Sequence, residues 1–123
     1  MPEVDVESIG GLSILGLMLK HWMDENLRDP DSVKHVKNLN AAVVVRVSGM
    51  VITIYFRDGE IRMENGAAEK PTASVEGSLD AFLGIGTGRR NPILTLIKRE
   101  VKFKGNLLKL FKIRKVIIPR GLI

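Results

Sequence analysis

No cysteine occurs in the chain. That excludes a disulfide scaffold, a thiolate metal site and a cysteine nucleophile together, and it fits a reducing compartment. Histidine is nearly as scarce, with only His21 and His35. His21 lies among apolar residues of a helical stretch and reads as a surface or core-edge side chain. His35 has Asp31 four residues earlier, a spacing that predicts a local helix contact. Without a cluster of His, Cys, Asp and Glu at ligand spacing, neither metal nor nucleophilic catalysis has its residues. No catalytic residue, metal ligand or cofactor is expected, and the chain does not read as an enzyme.

Long hydrophobic runs are missing too. The run Ile9–Leu19 falls short of the roughly 20 residues that span a bilayer, and Gly10, Gly11, Ser13 and Gly16 interrupt it. The N-terminus reads Met-Pro-Glu-Val-Asp-Val-Glu, acidic where a signal peptide is basic. A cytoplasmic protein is expected. Neither a low-complexity linker nor an internal repeat divides the chain, and 123 residues suit one domain. Aromatic residues are few, with one Trp, one Tyr and four Phe. Phe103 and Phe111 alone stand among the C-terminal lysines, which argues against the stacking platforms of single-strand nucleic-acid binders. Acidic residues are scarce in one region only. Residues 1–85 carry 8 basic and 13 acidic side chains, whereas residues 86–123 carry 11 basic and 1 acidic. The C-terminal third therefore suits an anionic partner, either phospholipid headgroups or nucleic acid.

What is present is a hydrophobic fraction of 45%, arranged in two periods. Leu12, Leu15, Leu19, Trp22, Met23 and Leu27 recur at three and four, predicting a helix from Ser8 to Leu27. Ile14, Leu17 and Met18 widen that stripe. Asp29-Pro30 stops this helix, and Asp31-Ser32 is the expected cap of a second one through Val33, Val36 and Leu39. Strict alternation then takes over. Val43, Val45 and Val47 form one run, and Ile52, Ile54 and Phe56 another across a Ser48-Gly49 turn. Asp58-Gly59 leads to Ile61 and Met63, and Asn65-Gly66 makes another turn before Ala73 and Val75. Val101 and Phe103 alternate with Lys102 and Lys104. Five short strands, each apolar on one face and mostly polar on the other, predict a mainly antiparallel sheet covered on one side.

Helices supply the cover. Ser78 caps one through Leu79, Ala81, Phe82 and Leu83, ended by Gly84, Gly86 and Gly88. Asn91-Pro92 opens a second over Ile93–Lys98, and Asn106 caps a last one through Leu107, Leu108, Leu110, Phe111, Ile113, Val116 and Ile117, which Pro119 stops. The fold class is α+β. The stretch Gly84-Ile-Gly86-Thr-Gly88-Arg-Arg follows a helix and lacks the Gly-Lys-Ser/Thr ending of a P-loop, so its glycines read as helix stop and turn.

The order Val75-Glu-Gly-Ser-Leu-Asp-Ala-Phe-Leu83, Gly88, Asn91-Pro92 and Val101-Lys-Phe-Lys-Gly-Asn-Leu-Leu-Lys-Leu110 is similar to the sterol carrier protein-2 family. The resemblance runs from about residue 35 to 117 and departs from the family at Lys98-Arg99-Glu100, where members often carry a small-residue pair with glycine. It implies a division into an N-terminal helical segment, 1–34, and a lipid-binding part, 35–123, of one domain. It also implies a five-stranded sheet with helices on one face, enclosing an apolar tunnel that holds a fatty acyl chain, a sterol or an isoprenoid-type lipid. Chosen by facing and position, the expected ligand-lining residues are Ile52, Ile54, Phe56, Phe82, Ile85, Ile93, Leu94, Ile97, Phe103, Leu107, Leu108 and Phe111. Arg89 and Arg90 would meet a charged head group at the mouth.

The residues themselves point the same way. The last two helices carry more apolar surface than one sheet face needs, and such surface must cover something apolar. A bound lipid or a second copy of the chain would serve; for any one side chain, ordinary core packing is the simpler reading. Lys109, Lys112, Arg114 and Lys115, interleaved with apolar residues, suit transient contact with an anionic membrane surface. The expected function is non-catalytic binding of a lipid, and its transfer. The rival readings are a homodimeric interaction module and, as a minor one, a basic nucleic-acid-binding domain.

Overall fold

The computed structural model describes residues 5–6, 14–86, 89 and 101–117. Within them the chain runs β1 (Asp5–Val6), α1 (Ile14–Asn26), α2 (Pro30–Lys37), β2 (Ala41–Val47), β3 (Met50–Arg57), β4 (Glu60–Asn65), β5 (Ala73–Gly77), α3 (Leu79–Gly86), β6 (Val101–Gly105) and α4 (Leu107–Ile117). One sheet forms in the order β1-β4-β3-β2-β5-β6. The five strands of the sequence are all there, and the two-residue β1 adds a short edge parallel to β4. The pairs β2–β3, β3–β4 and β5–β6 are antiparallel, while β2–β5 is parallel.

Both tight turns take the geometry their residues predict. Ser48 and Gly49 have φ of 49° and 87°, and Asp58 and Gly59 have 55° and 79°, the left-handed pair that a type I′ hairpin needs. Register follows from the turns. Val43 pairs with Ile54 and Val45 with Ile52, Ile54 with Met63, and Val75 with Phe103, so the apolar sets line up on a single face. The helices cover that face: α1 packs on β3 and α4, α2 on β4 and α4, and α4 on β5. The core between them holds Leu15, Leu19 and Met23 from α1, Ile113 and Val116 from α4, and Val43, Val45, Ile52, Ile54 and Met63 from the sheet, with Val75 packed against it.

The opposite face is not bare. The crossover from β4 to β5 runs over it, pinned where the Thr53 hydroxyl donates to the Gly66 carbonyl (2.7 Å) and accepts from the Ala68 N–H (3.0 Å). Thr53 and its cross-strand partner Val44 are buried there.

Two expectations need correction. The first helix is widened by apolar residues that do not all enter the core, since Ile14 and Leu17 are exposed. The second is capped by Asp29 and not by Asp31 or Ser32: Asp29 is extended, its carboxylate accepts from the Asp31 N–H, and Pro30 occupies the first turn. Proline lacks only an N–H that would have been an orphan there. The third helix runs through Gly84 and ends at Gly86, one of the three glycines expected to close it, since glycine lowers helix propensity by about 1 kcal/mol without forbidding the conformation. Ser78 caps that helix by accepting from the Ala81 N–H at 3.1 Å, and Asn106 caps α4 from the Lys109 N–H at 3.1 Å, both as expected. The expected helix Ile93–Lys98 lies outside the described residues.

Candidate functional site

The helix-covered face is the one continuous apolar surface that the described strands build. Ile52, Ile54 and Phe56 stand side by side on β3 in its centre, each fully buried. Phe82 reaches the same core from α3, and Ile85, half-buried, packs against it. These five expected ligand-lining residues are therefore brought together. Phe103 is half-buried on β6, opposite Val75. Leu107 and Leu108 stand apart from the core, at the start of α4, 39% and 76% exposed. Ile93, Leu94, Ile97 and Arg90 lie outside the described residues, as do the side chains of Phe111, Arg114 and Lys115. Arg89 is exposed.

α3 is the least committed part of the cover. Its two turns contain Gly84 and Gly86, and its buried hydrophobic side chains are Ala81 and Phe82. The Leu79 N–H donates to the Ser48 hydroxyl (3.1 Å), tying its first turn to the β2–β3 hairpin. By contrast α4 is anchored along its length. Lys109 Nζ donates to the Asn40 carbonyl at 2.6 Å, so this expected headgroup contact is turned back onto the protein. The His35 Nε2 stands 2.6 Å from the Lys112 carbonyl oxygen, joining α2 to α4. The contact expected between His35 and Asp31 is thus replaced by a long-range one. Buried Asn26 donates from Nδ2 to the Val116 carbonyl, joining the ends of α1 and α4. None of these three ties carried a sequence signal, because each partner is a backbone carbonyl far along the chain.

A groove of about 540 Å³ opens elsewhere, at the β2–β3 turn, between Arg46, Ser48, Met50, Glu76, Ser78 and Lys102. Its charged walls do not suit an apolar chain, which needs apolar lining. Among the described residues no group of His, Asp and Glu could hold a metal ion, and no helix is long and apolar enough to cross a membrane.

Element order, parallel β2–β5 pairing and helix cover can now be set beside known proteins. The family model described as the SCP-2 sterol transfer family matches residues 19–117. The chain belongs to that family. The SCP-2 domain is in general a non-catalytic module that binds apolar lipid ligands, and this chain carries it over most of its length. Solved structures agree on the fold. Sterol carrier protein 2 of Yarrowia lipolytica, in its apo form, superposes with a TM-score of 0.61 at 16% identity, covering 86% of this chain and 97% of that one. Palmitated SCP2L2 from Aedes aegypti gives 0.65 at 13%, covering 86% and 95%. The sec-alkylsulfatase Pisa1 from Pseudomonas sp. gives 0.68 at 14%, covering 95% of this chain but 18% of the enzyme, so the SCP-2 fold there is one part of a larger protein. No curated protein sequence matches the chain significantly.

Proposed function

We propose that the protein binds a single lipid chain between the apolar face of its sheet and the helices over it, and exchanges that cargo at an anionic membrane surface. The observation that supports this most is the continuous apolar face centred on Ile52, Ile54 and Phe56 in a member of the SCP-2 sterol transfer family. A lipid chain enters where the cover gives way at least cost, and α3, short and glycine-bearing, is that place. Displacing Phe82 and Ile85 would open the face to a chain whose methylenes each contribute about 0.8 kcal/mol when buried. Ile93, Leu94, Ile97, Phe103 and Phe111 complete the proposed lining.

Because the Aedes aegypti relative is a palmitated form, a fatty acyl chain is the first cargo to try. Sterols and isoprenoid-type lipids meet the same walls, since such a site selects by shape and area more than by polar contacts. Arg89 and Arg90 come within four residues of the end of α3 and in this reading meet the carboxylate or phosphate of the cargo. Delipidated protein should saturate with a fluorescent fatty acid at one equivalent. The double substitution Arg89→Ala/Arg90→Ala should weaken a fatty acid about tenfold and leave the corresponding alcohol unchanged. Equal weakening of both would remove the head-group role, and absence of any saturable uptake would remove the carrier reading. Basic residues of the C-terminal third, Lys112, Arg114 and Lys115 among them, provide the attraction to an anionic membrane surface.

A further inference from the structure

The β6–α4 junction presents apolar surface that the core does not use. Leu108 is 76% exposed and Leu107 39%. These are not residues of a loose tail, because the backbone beneath them is held from several sides. Gly105 has φ +99°, and a Cβ there would stand 2.4 Å from the Thr72 carbonyl oxygen and 2.8 Å from the Ala73 Cα. Only glycine can make that turn. The Asn106 N–H donates to the same Thr72 oxygen at 3.0 Å, and the Asn106 side chain caps α4. Lys109 holds the first turn of α4 to Asn40. Two leucines are thus kept in water on a held corner, where the backbone beneath them needs little further ordering on binding.

A cation stands beside them. Lys112, one turn beyond Leu108 on the same side of α4, is exposed, and among the described residues it forms no ion pair. The segment from 86 to 123 as a whole carries 11 basic and 1 acidic side chains. We propose that this corner is the surface by which the protein docks on an anionic bilayer. Leu107 and Leu108 enter the boundary between headgroups and acyl chains, and Lys112 meets the lipid phosphates. The proposal rests on the carrier reading above and says where the carrier touches its membrane. A nucleic acid would satisfy the lysine but offers no apolar partner to aliphatic leucines. A second copy would satisfy the leucines but, in a two-fold contact of this patch with itself, would bring lysines together. An anionic bilayer alone matches both halves of the patch.

The absence of cysteine makes a direct test available. Leu108→Cys and, as a control, Ile14→Cys (Ile14 is 71% exposed) would each carry one environment-sensitive dye. With vesicles of mixed phosphatidylglycerol and phosphatidylcholine at low salt, the dye at position 108 should shift to the blue and brighten, and the dye at position 14 should not. Leu108→Glu should lower the vesicle partition coefficient by about tenfold or more, and Lys112→Gln by roughly fivefold, while Ile14→Glu leaves it unchanged. The same dye shift with pure phosphatidylcholine would overturn the proposal, as would vesicle binding indifferent to Leu108→Glu. So would a stable dimer that Leu108→Glu dissolves, which would assign the corner to a second copy. Fatty-acid uptake by the unsubstituted protein without vesicles keeps the two readings apart. If uptake is normal and docking fails, only this proposal falls; if uptake fails, the carrier reading falls.

Discussion

At Gly105 the chain turns out of the sheet with φ +99°, hard against the Thr72 carbonyl. At Gly66 it turns with φ +93°, and a Cβ would meet nothing within 4 Å. The two sites separate backbone strain from steric clash. Gly66→Ala should cost about 1 kcal/mol, the price of left-handed backbone in an L-residue, and Gly105→Ala at least twice that, roughly 2 kcal/mol or more, because Thr72 must also move. Urea unfolding of the two variants would show it, and equal midpoints would contradict the close approach. Asn26 belongs at the same scale. It is 1% exposed and gives its side-chain amide to the Val116 carbonyl. Neither constraint could be read from sequence, since Gly105 and Asn26 resemble many exposed glycines and asparagines until Thr72 and Val116 are brought beside them.

Among the elements, the hairpins were the most legible part. Period-two alternation and the pairs Ser48-Gly49 and Asp58-Gly59 state register and facing locally, and the structure pairs Val43 with Ile54 and Ile54 with Met63 accordingly. The helices were legible in kind but not at their ends or on every face. Asp29 takes the cap expected of Asp31-Ser32, because a proline in the first turn moves the helix start forward. Asp29→Ala should therefore destabilise the fold by about 1 kcal/mol. A larger loss from a cap-preserving Asp29→Asn than from Asp29→Ala would contradict that assignment. Ile14 and Leu17 share the apolar spacing of the stripe and are exposed. Hydrophobic spacing marks what can be buried, and packing decides how wide a stripe is used.

For the whole molecule, the order of strands, glycines and caps from Val75 to Leu110 made the family visible, and the match over residues 19–117 bears it out. The candidate site was legible in part. Ile52, Ile54, Phe56, Phe82 and Ile85 do share one core, because strand facing and helix spacing are local properties. Leu107 and Leu108 share the same hydrophobic character yet stand outside it, because only the turn at Gly105 determines which way α4 starts. Cargo identity is not written in such a surface: apolar walls read area and shape, and few polar groups remain to specify a head.

The most direct test of the carrier reading is native mass spectrometry of freshly purified protein, with organic extraction of whatever accompanies it. The account predicts a population heavier than the bare chain by one lipid, released into the organic phase, and diminished by a polar substitution at the centre of the apolar face such as Ile54→Asn in protein that remains folded. A bare monomer that also fails to take up fatty acid, sterol or isoprenoid lipid after delipidation would contradict it.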